Sequence, residues 1–513
     1  MKTIHESVST PKADGYRMPG EFEPQTRIWM AWPHRTDTWA WGAKPAQKQY
    51  ADVARAIAEF EPVTMCVNQV DYANAKAVFE DDENVTVVEM TTDDAWVRDT
   101  GATWVVNDEG DKRAVHWHFN AYGGFENGLY FPWDKDEQIA LKMAEMSGCR
   151  RYRPESFILE GGSIHVDGEG TVITTDMCLL DPGRNASVTD YEPWSEELRA
   201  YCDEQLKKYL GVEKVIWVKD GIDPEETNGH IDDVAQIVAP GKVLCIWSDD
   251  PDYPFYNECH AAYETLSNAV DAKGRKLEVT KLCMPVKPLY MDQASCDSID
   301  TEEYAEPRVA DEPLIASYMN FLHRQRRRHR AQYGDENDAL AVQQIQAAFG
   351  RGVGRGQRTR AVGVKTDQVV FAAATSTASP SRSRPASRLF RRPRGRRGGS
   401  SRRCRERSAI DYPLPDSLLA VATPAFFIKA FSRGPIRPPA NRCAPAEVGG
   451  PRSGPFARGR SAFSSPPVPA ARVGRAREKE SIACLIRRVK VSPSSSRWAA
   501  TPWATRPRSS SSW

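Results

Sequence analysis

The sequence predicts an α/β fold built from several similar modules, and three observations carry that expectation. Over the first 371 residues, short apolar runs of strand length alternate with amphipathic helical stretches. Some strand-like runs come in pairs around tight turns, at Asp167-Gly168 and again at Pro240-Gly241. The alternation of strand pairs with single helices also continues for too long to be one simple sandwich.

The elements follow in order. The stretch AQKQYADVARAIAEFEP sets Tyr50, Val53, Ala54, Ile57 and Phe60 on one helical stripe. Strand-length runs follow as VTMCV at 63–67 and VTVVEM at 85–90. SIHVDGEGTVITT alternates on both sides of its Asp-Gly turn and reads as a hairpin. VAQIVAPGKVLCIW reads as a second one. Helices are expected at 135–147, 196–210, 260–270 and 337–349.

The 513 residues are enough for two or three domains. Residues 372–513 hold 29 of the 69 Lys and Arg but 6 of the 69 Asp and Glu, which leaves 40 basic and 63 acidic residues in 1–371. The neutral total therefore hides an acidic part followed by a basic one. Residues 387–513 are rich in Arg, Ser, Pro, Gly and Ala, with short apolar islands such as SLLAVATPAFFIKAF. That composition buries too little apolar surface to offset chain entropy, so a disordered basic tail is expected rather than a folded domain.

The 11 cysteines are scattered, without a CxxC pair or recurring spacing, which points to reduced thiols rather than a disulfide frame or zinc cluster. The first 19 residues contain no apolar run of signal-peptide length. No uncharged apolar run reaches the roughly 18–20 residues needed to cross a bilayer. The expectation is a soluble cytoplasmic protein with no membrane partner, with organelle targeting left open.

Four stretches gather reactive side chains beside glycines and tryptophans. DDAWVRDTGATWVV offers Trp96, Arg98 and Asp99, and FILEGGSIHVDG offers Glu160 ahead of a Gly-Gly turn. ETNGHIDDVAQIV sets His230 and Asp232 two apart, on one face if extended. MPGEFEPQTRIWMAWPHR is a Trp-rich segment near the start. Each has a plain alternative: Arg98-Asp99 as a surface pair, Glu160 as a strand end, His230 and Asp232 as an ordered loop. A metal reading finds no His-x-x-x-His or clustered histidines, so neither metal nor cofactor is expected.

Taken together, DAWVRDTG, LEGGSIHVDG, LLDPGRN and ETNGHIDD resemble the agmatine deiminases of the guanidino-group-modifying (pentein) superfamily. So do DGYRMPGEFEP, GLYFPWDKD, and KPLYMDQ through LIASYMNF to QYGDENDALAVQQIQAAF. The resemblance covers residues 14–322 and 332–371. It implies five ββαβ modules in a pseudo-fivefold propeller, residues 1–371 as the catalytic domain, and hydrolysis of agmatine to N-carbamoylputrescine and ammonia in putrescine biosynthesis. A guanidinium is planar and cationic, so carboxylates suit its N–H donors, a thiolate suits attack, and a general acid/base must serve the leaving ammonia. By resemblance Asp99 and Glu160 grip the substrate, His230 is the acid/base, Asp232 binds beside it, and Trp96 packs on the cation or its alkyl chain.

The family's nucleophile is a cysteine in a GGNIHCIT-type motif, and none of the 11 cysteines has that context. The motif is due just after Phe371. FAAATSTASPSRSR can be written with codons in which one added G after the Phe371 codon yields Gly-Gly-Gly-Asn-Ile-His-Cys-Ile-Thr. The cysteine codon then straddles Thr377 and Ala378. HRQRRRHRA at 323–331, shifted by one base, likewise decodes to Ile-Val-Asn-Gly-Gly-Val-Ile-Val-Pro, an apolar strand. GRGVGRGQRTRA at 350–361 is a third disturbed patch, without a decoding. Residues 372–513 are therefore read as out-of-frame sequence in preference to a natural fusion, and this chain is expected to be inactive. The competing readings are a peptidyl-arginine deiminase and a pseudoenzyme whose basic tail binds nucleic acid. The tail lacks aromatic interleaving, so no specific nucleic-acid partner is expected, and a homo-oligomer is allowed.

Overall fold

The computed structural model describes residues 2–223, 227–301, 309–310, 313–324, 333–349 and 361–370, together with 382–383, 418–421 and 428–430. All of these lie in one compact unit, Met1–Ile436. Residues 325–331 of the disturbed patch at 323–331, residues 350–360 of the patch at 350–361, the Thr377/Ala378 position and nearly all of the basic tail fall outside the described residues.

Strand β1 (Thr3–His5) leads to β2 (Arg27–Ala31), β3 (Val63–Val67) and β4 (Val85–Glu89), and these last three run parallel. Helix Lys44–Ala58 makes the crossover between β2 and β3. Its stripe behaves as the spacing predicts: Tyr50, Val53, Ala54 and Ile57 are buried. Phe60 is half-buried because the helix ends at Ala58, two residues before it. The tryptophans of the first segment go into the same core, where Trp29 and Trp32 are buried.

Three consecutive stretches then share one plan. β5 (Thr103–Val106) pairs antiparallel with β6 (Lys112–Val115), helix Ile139–Met146 follows, and β7 (Arg151–Arg153) returns parallel to β6. β8 (His165–Val166), β9 (Thr171–Thr175), helix Glu196–Leu210 and β10 (Lys214–Val218) repeat it. β11 (Ala235–Ala239), β12 (Lys242–Trp247), helix Tyr256–Asn268 and β13 (Glu278–Cys283) repeat it again. Both turns expected from the sequence close these hairpins, with Gly168 and Gly241 at positive φ (+69° and +77°). Parallel return after a helix is the short, right-packing solution for such a unit. The predicted helix at 135–147 is broken in two, Asp134–Glu137 and Ile139–Met146. The predicted helix at 260–270 starts earlier, at Tyr256.

Helix Asp338–Ala348 falls where it was expected. From the basic segment, Leu418–Val421 lies between Leu322–Arg324 and Ala361–Gly363, and Ile428–Ala430 pairs with β2. Both pieces come from the apolar island SLLAVATPAFFIKAF of that segment. No described helix is long and apolar enough to cross a membrane.

Candidate active site

Each of the three repeated hairpins is preceded by a single helical turn, and the side chains singled out in the sequence sit on or beside those turns. Val97–Thr100 carries Asp99 ahead of β5, Glu160 precedes Gly161–Ser163 ahead of β8, and His230 and Asp232 flank the start of Ile231–Asp233 ahead of β11. The turns pack against one another in sequence order. One structural position, used three times, thus gathers residues that lie far apart in the chain.

Local sequence explains the turns. A Cβ on Gly161 would come within 2.2 Å of the Arg98 carbonyl oxygen, so only glycine lets these two turns meet. Asn228 and Gly229 take left-handed conformations (φ +56° and +76°), which Asn and Gly tolerate best, and so swing His230 inward. Tyr122 and Ala121 adopt the same region (φ +71° and +53°) without being Asn or Gly, a conformation held by its surroundings.

His230 is fully buried, with Nδ1 3.9 Å from Asp99 Oδ1 and Nε2 4.0 Å from Glu160 Oε2. Asp99 accepts from the Gly162 N–H (2.8 Å) and the Tyr122 hydroxyl (3.0 Å). Glu160 is backed by Arg184, whose Nε lies 3.1 Å from Oε1 and whose NH2 donates to the Thr227 carbonyl. Asp232 is backed by Arg98, with Nε 3.3 Å from Oδ2, while Arg98 also donates to Glu21 at 2.9 Å. All six charged groups, from Glu21 to Asp232, are buried, so their pairing offsets a desolvation cost that none could bear singly.

The electrostatics divide the carboxylates. Burial pushes the Asp99 carboxyl up to about 7; the charge on Glu160 adds to this, and the Gly162 N–H opposes it. Burial brings Arg98 down to about 10, partly countered by Asp232 and Asp99, so it stays cationic at neutral pH. For Arg184 burial is the largest single influence and pulls down, but the charges of Glu160 and its other acidic neighbours and the hydrogen bond to Glu160 together outweigh it, and the guanidinium ends above its ordinary value.

Asp99, Glu160, His230 and Asp232 are thus brought together. Trp96 is buried on the same turn; its ring stacks on Trp39 at 5.1 Å and its indole N–H donates to Asp94. Tyr122, whose ring centre lies 6.1 Å from that of His230, and the two backing arginines were not singled out for those roles. Arg98 and Arg184 stand inside the quoted motifs, but Arg98 meets Asp232 of another module and Arg184 meets Glu160 24 residues back along the chain. Cys178 was missed as well: its Sγ lies 3.8 Å from Glu160 Oε2. Burial and the Glu160 charge push its thiol well above the ordinary value, so it stays protonated and is no ready nucleophile. A cleft of about 540 Å³ is lined by Asn120, Gly123, Gly183 and Ser187 among others, on the loops that carry Tyr122 and Arg184, with none of the four gathered residues in its wall. The described cysteines are all free thiols.

Buried carboxylates around one histidine, on repeated hairpin modules, suit the class of enzymes acting on guanidino groups. Residues 17–360 match the Porphyromonas-type peptidyl-arginine deiminase family, and the chain belongs to it. It is 52% identical to a putative agmatine deiminase of Streptococcus mutans over 365 residues, 71% of this chain and 94% of that one. It is 51% identical to an agmatine deiminase of Pseudomonas aeruginosa over 314 residues, 61% of this chain and 82% of that one. A solved structure of the agmatine deiminase of Enterococcus faecalis superposes with a TM-score of 0.66 at 47% identity, covering 72% of this chain and 96% of that one. These neighbours give the chain the pentein-type α/β fold.

Proposed function

We propose that residues 1–371 are built as an agmatine deiminase, and that the chain as it stands lacks the thiol needed to complete a turnover. The observation that carries this reading is His230 held between Asp99 and Glu160, with Asp232 alongside and a buried arginine behind each of Glu160 and Asp232. The three carboxylates grip the guanidinium N–H donors. A cysteine thiolate attacks the central carbon, His230 gives a proton to the departing ammonia, and the same histidine then takes a proton from the water that releases N-carbamoylputrescine and regenerates the thiol. Trp96 and Tyr122 are the aromatic walls of this reading.

The three visible modules extend to five around a pseudo-fivefold axis, with the site in the central channel. The decoded string Gly-Gly-Asn-Ile-His-Cys supports both points, because it repeats the pattern Gly161-Gly162-Ser163-Ile164-His165-Val166. It is the same turn-and-strand segment in another module, with cysteine at the strand position that Val166 fills here. The reaction belongs to putrescine formation in the cytoplasm, with agmatine as the small-molecule partner and no nucleic acid. The relatives' names favour agmatine over a peptidyl-arginine. Assaying a frame-repaired protein on agmatine, free arginine and a peptidyl-arginine tests this: turnover of agmatine is expected, and turnover of the peptide alone would overturn it.

A further inference from the structure

Cys178 takes no part in the chemistry above, yet it sits against the two residues at the centre of it. We infer that Glu160, Cys178 and His230 form a binding site for a thiophilic divalent cation of the zinc class, placed where it blocks the guanidinium grip. Each residue offers one donor atom, and the three donors lie within 4.8 Å of one another. Glu160 Oε2 is 3.8 Å from Cys178 Sγ and 4.0 Å from His230 Nε2. Around a tetrahedral zinc, with Zn–S near 2.3 Å and Zn–N or Zn–O near 2.0–2.1 Å, neighbouring donors stand roughly 3.3–3.6 Å apart. Closing on an ion therefore asks these side chains for shifts of less than about an ångström along the two measured edges.

The surroundings favour such an ion. Arg184 takes Oε1 of Glu160, while Oε2 faces the thiol and the imidazole. The three donors come from three separate segments, all buried. Cys178 is fixed on the turn Asp176–Leu179, where its own N–H donates to the Thr175 hydroxyl oxygen. Four buried carboxyl groups, Glu21, Asp99, Glu160 and Asp232, face two arginines, Arg98 and Arg184, so a divalent ion with the thiolate it binds brings the cluster nearer neutrality. Sulfur and imidazole donors select zinc or cobalt over magnesium or calcium. Three protein ligands leave a fourth position open, the arrangement of a site that exchanges its occupant. Binding expels the Cys178 thiol proton, so affinity rises with pH and one proton leaves per ion.

The exclusion of substrate by the ion rests on the roles given to Glu160 and His230 above, whereas ion binding itself does not. The test therefore reads the metal alone. The full chain, stripped of metal by chelator, is titrated with Co²⁺ and then with Zn²⁺, following the thiolate-to-cobalt charge-transfer band. The expected result is one Co²⁺ carrying that band, displaced by Zn²⁺. In Cys178→Ser the band is lost and affinity falls by more than the roughly 10–100-fold that loss of a mere supporting group costs, while Cys202→Ser, at a buried cysteine on another helix, changes neither. His230→Gln, checked for folding by circular dichroism, serves as a second variant and weakens binding comparably. A folded chain without the band, or a band that persists in Cys178→Ser, overturns the proposal.

Discussion

Asp99, Glu160 and Asp232 are three carboxylates of one site, and their partners set them apart. Glu160 and Asp232 each lean on a buried arginine, whereas Asp99 relies on the Gly162 N–H and the Tyr122 hydroxyl. Removing one member of a buried pair strands the other. Arg184→Ala is expected to destabilise the fold by about 3–5 kcal/mol, read as a lowered thermal midpoint. Asp99 supplies a pH signature. Its folded pKa of about 7 stands above the ordinary 3.8, so the folded chain holds a proton that the unfolded chain has released. Stability attributable to it is present below about pH 3.8 and is lost as pH rises to about 7. Asp136, raised to about 8 by burial, adds to the same trend. Asp99→Asn is therefore expected to flatten, without abolishing, the fall in stability between pH 4 and 7. An unchanged slope in denaturant titrations would count against this environment for Asp99.

At the scale of elements, the recurring unit is a helical turn leading into a hairpin, and Asp99, Glu160, His230 and Asp232 all sit on or beside those turns. Gly161→Ala drives a methyl group into the Arg98 carbonyl and must push two of these turns apart. A cost of about 1–3 kcal/mol is expected, together with loss of the Asp99–Gly162 hydrogen bond, visible as altered exchange of that amide. The hairpins were legible in the sequence because Asp167-Gly168 and Pro240-Gly241 announce their own turns. The helices were legible because apolar residues such as Tyr50, Val53 and Ile57 recur at helical spacing. Asp99, Glu160, His230 and Asp232 were legible because each stands in a compact motif. Cys178, Arg184 and Tyr122 could not be assigned a role in that way. Their partners lie 18, 24 and 23 residues away along the chain, on other turns, and no local period encodes such a meeting. The end of the first helix at Ala58, the break at Gln138 and the start at Tyr256 were missed for a different reason: tertiary packing, not periodicity, decides where a helix starts and stops.

At the scale of the whole molecule, two halves of opposite charge meet after Phe371, and the family match of residues 17–360 stops just short of that point. The apolar island at 418–430 gives up two short strands to sheets of the first part, and these are the pieces of the chain beyond residue 383 that the structure describes. The structure brings His230 together with Asp99 and Glu160, and no cysteine of the sequence stands in a GGNIHCIT-type motif. The direct test is to assay agmatine turnover by the chain as it stands and by a chain repaired at both decodable places, after Phe371 and across 323–331. The account predicts no measurable N-carbamoylputrescine from the first, and a gain on the order of 10⁴-fold or more from the second, the usual scale for restoring the nucleophile of a coupled set. Comparable turnover by the unrepaired chain, or a repaired chain that folds and stays inert, would contradict it.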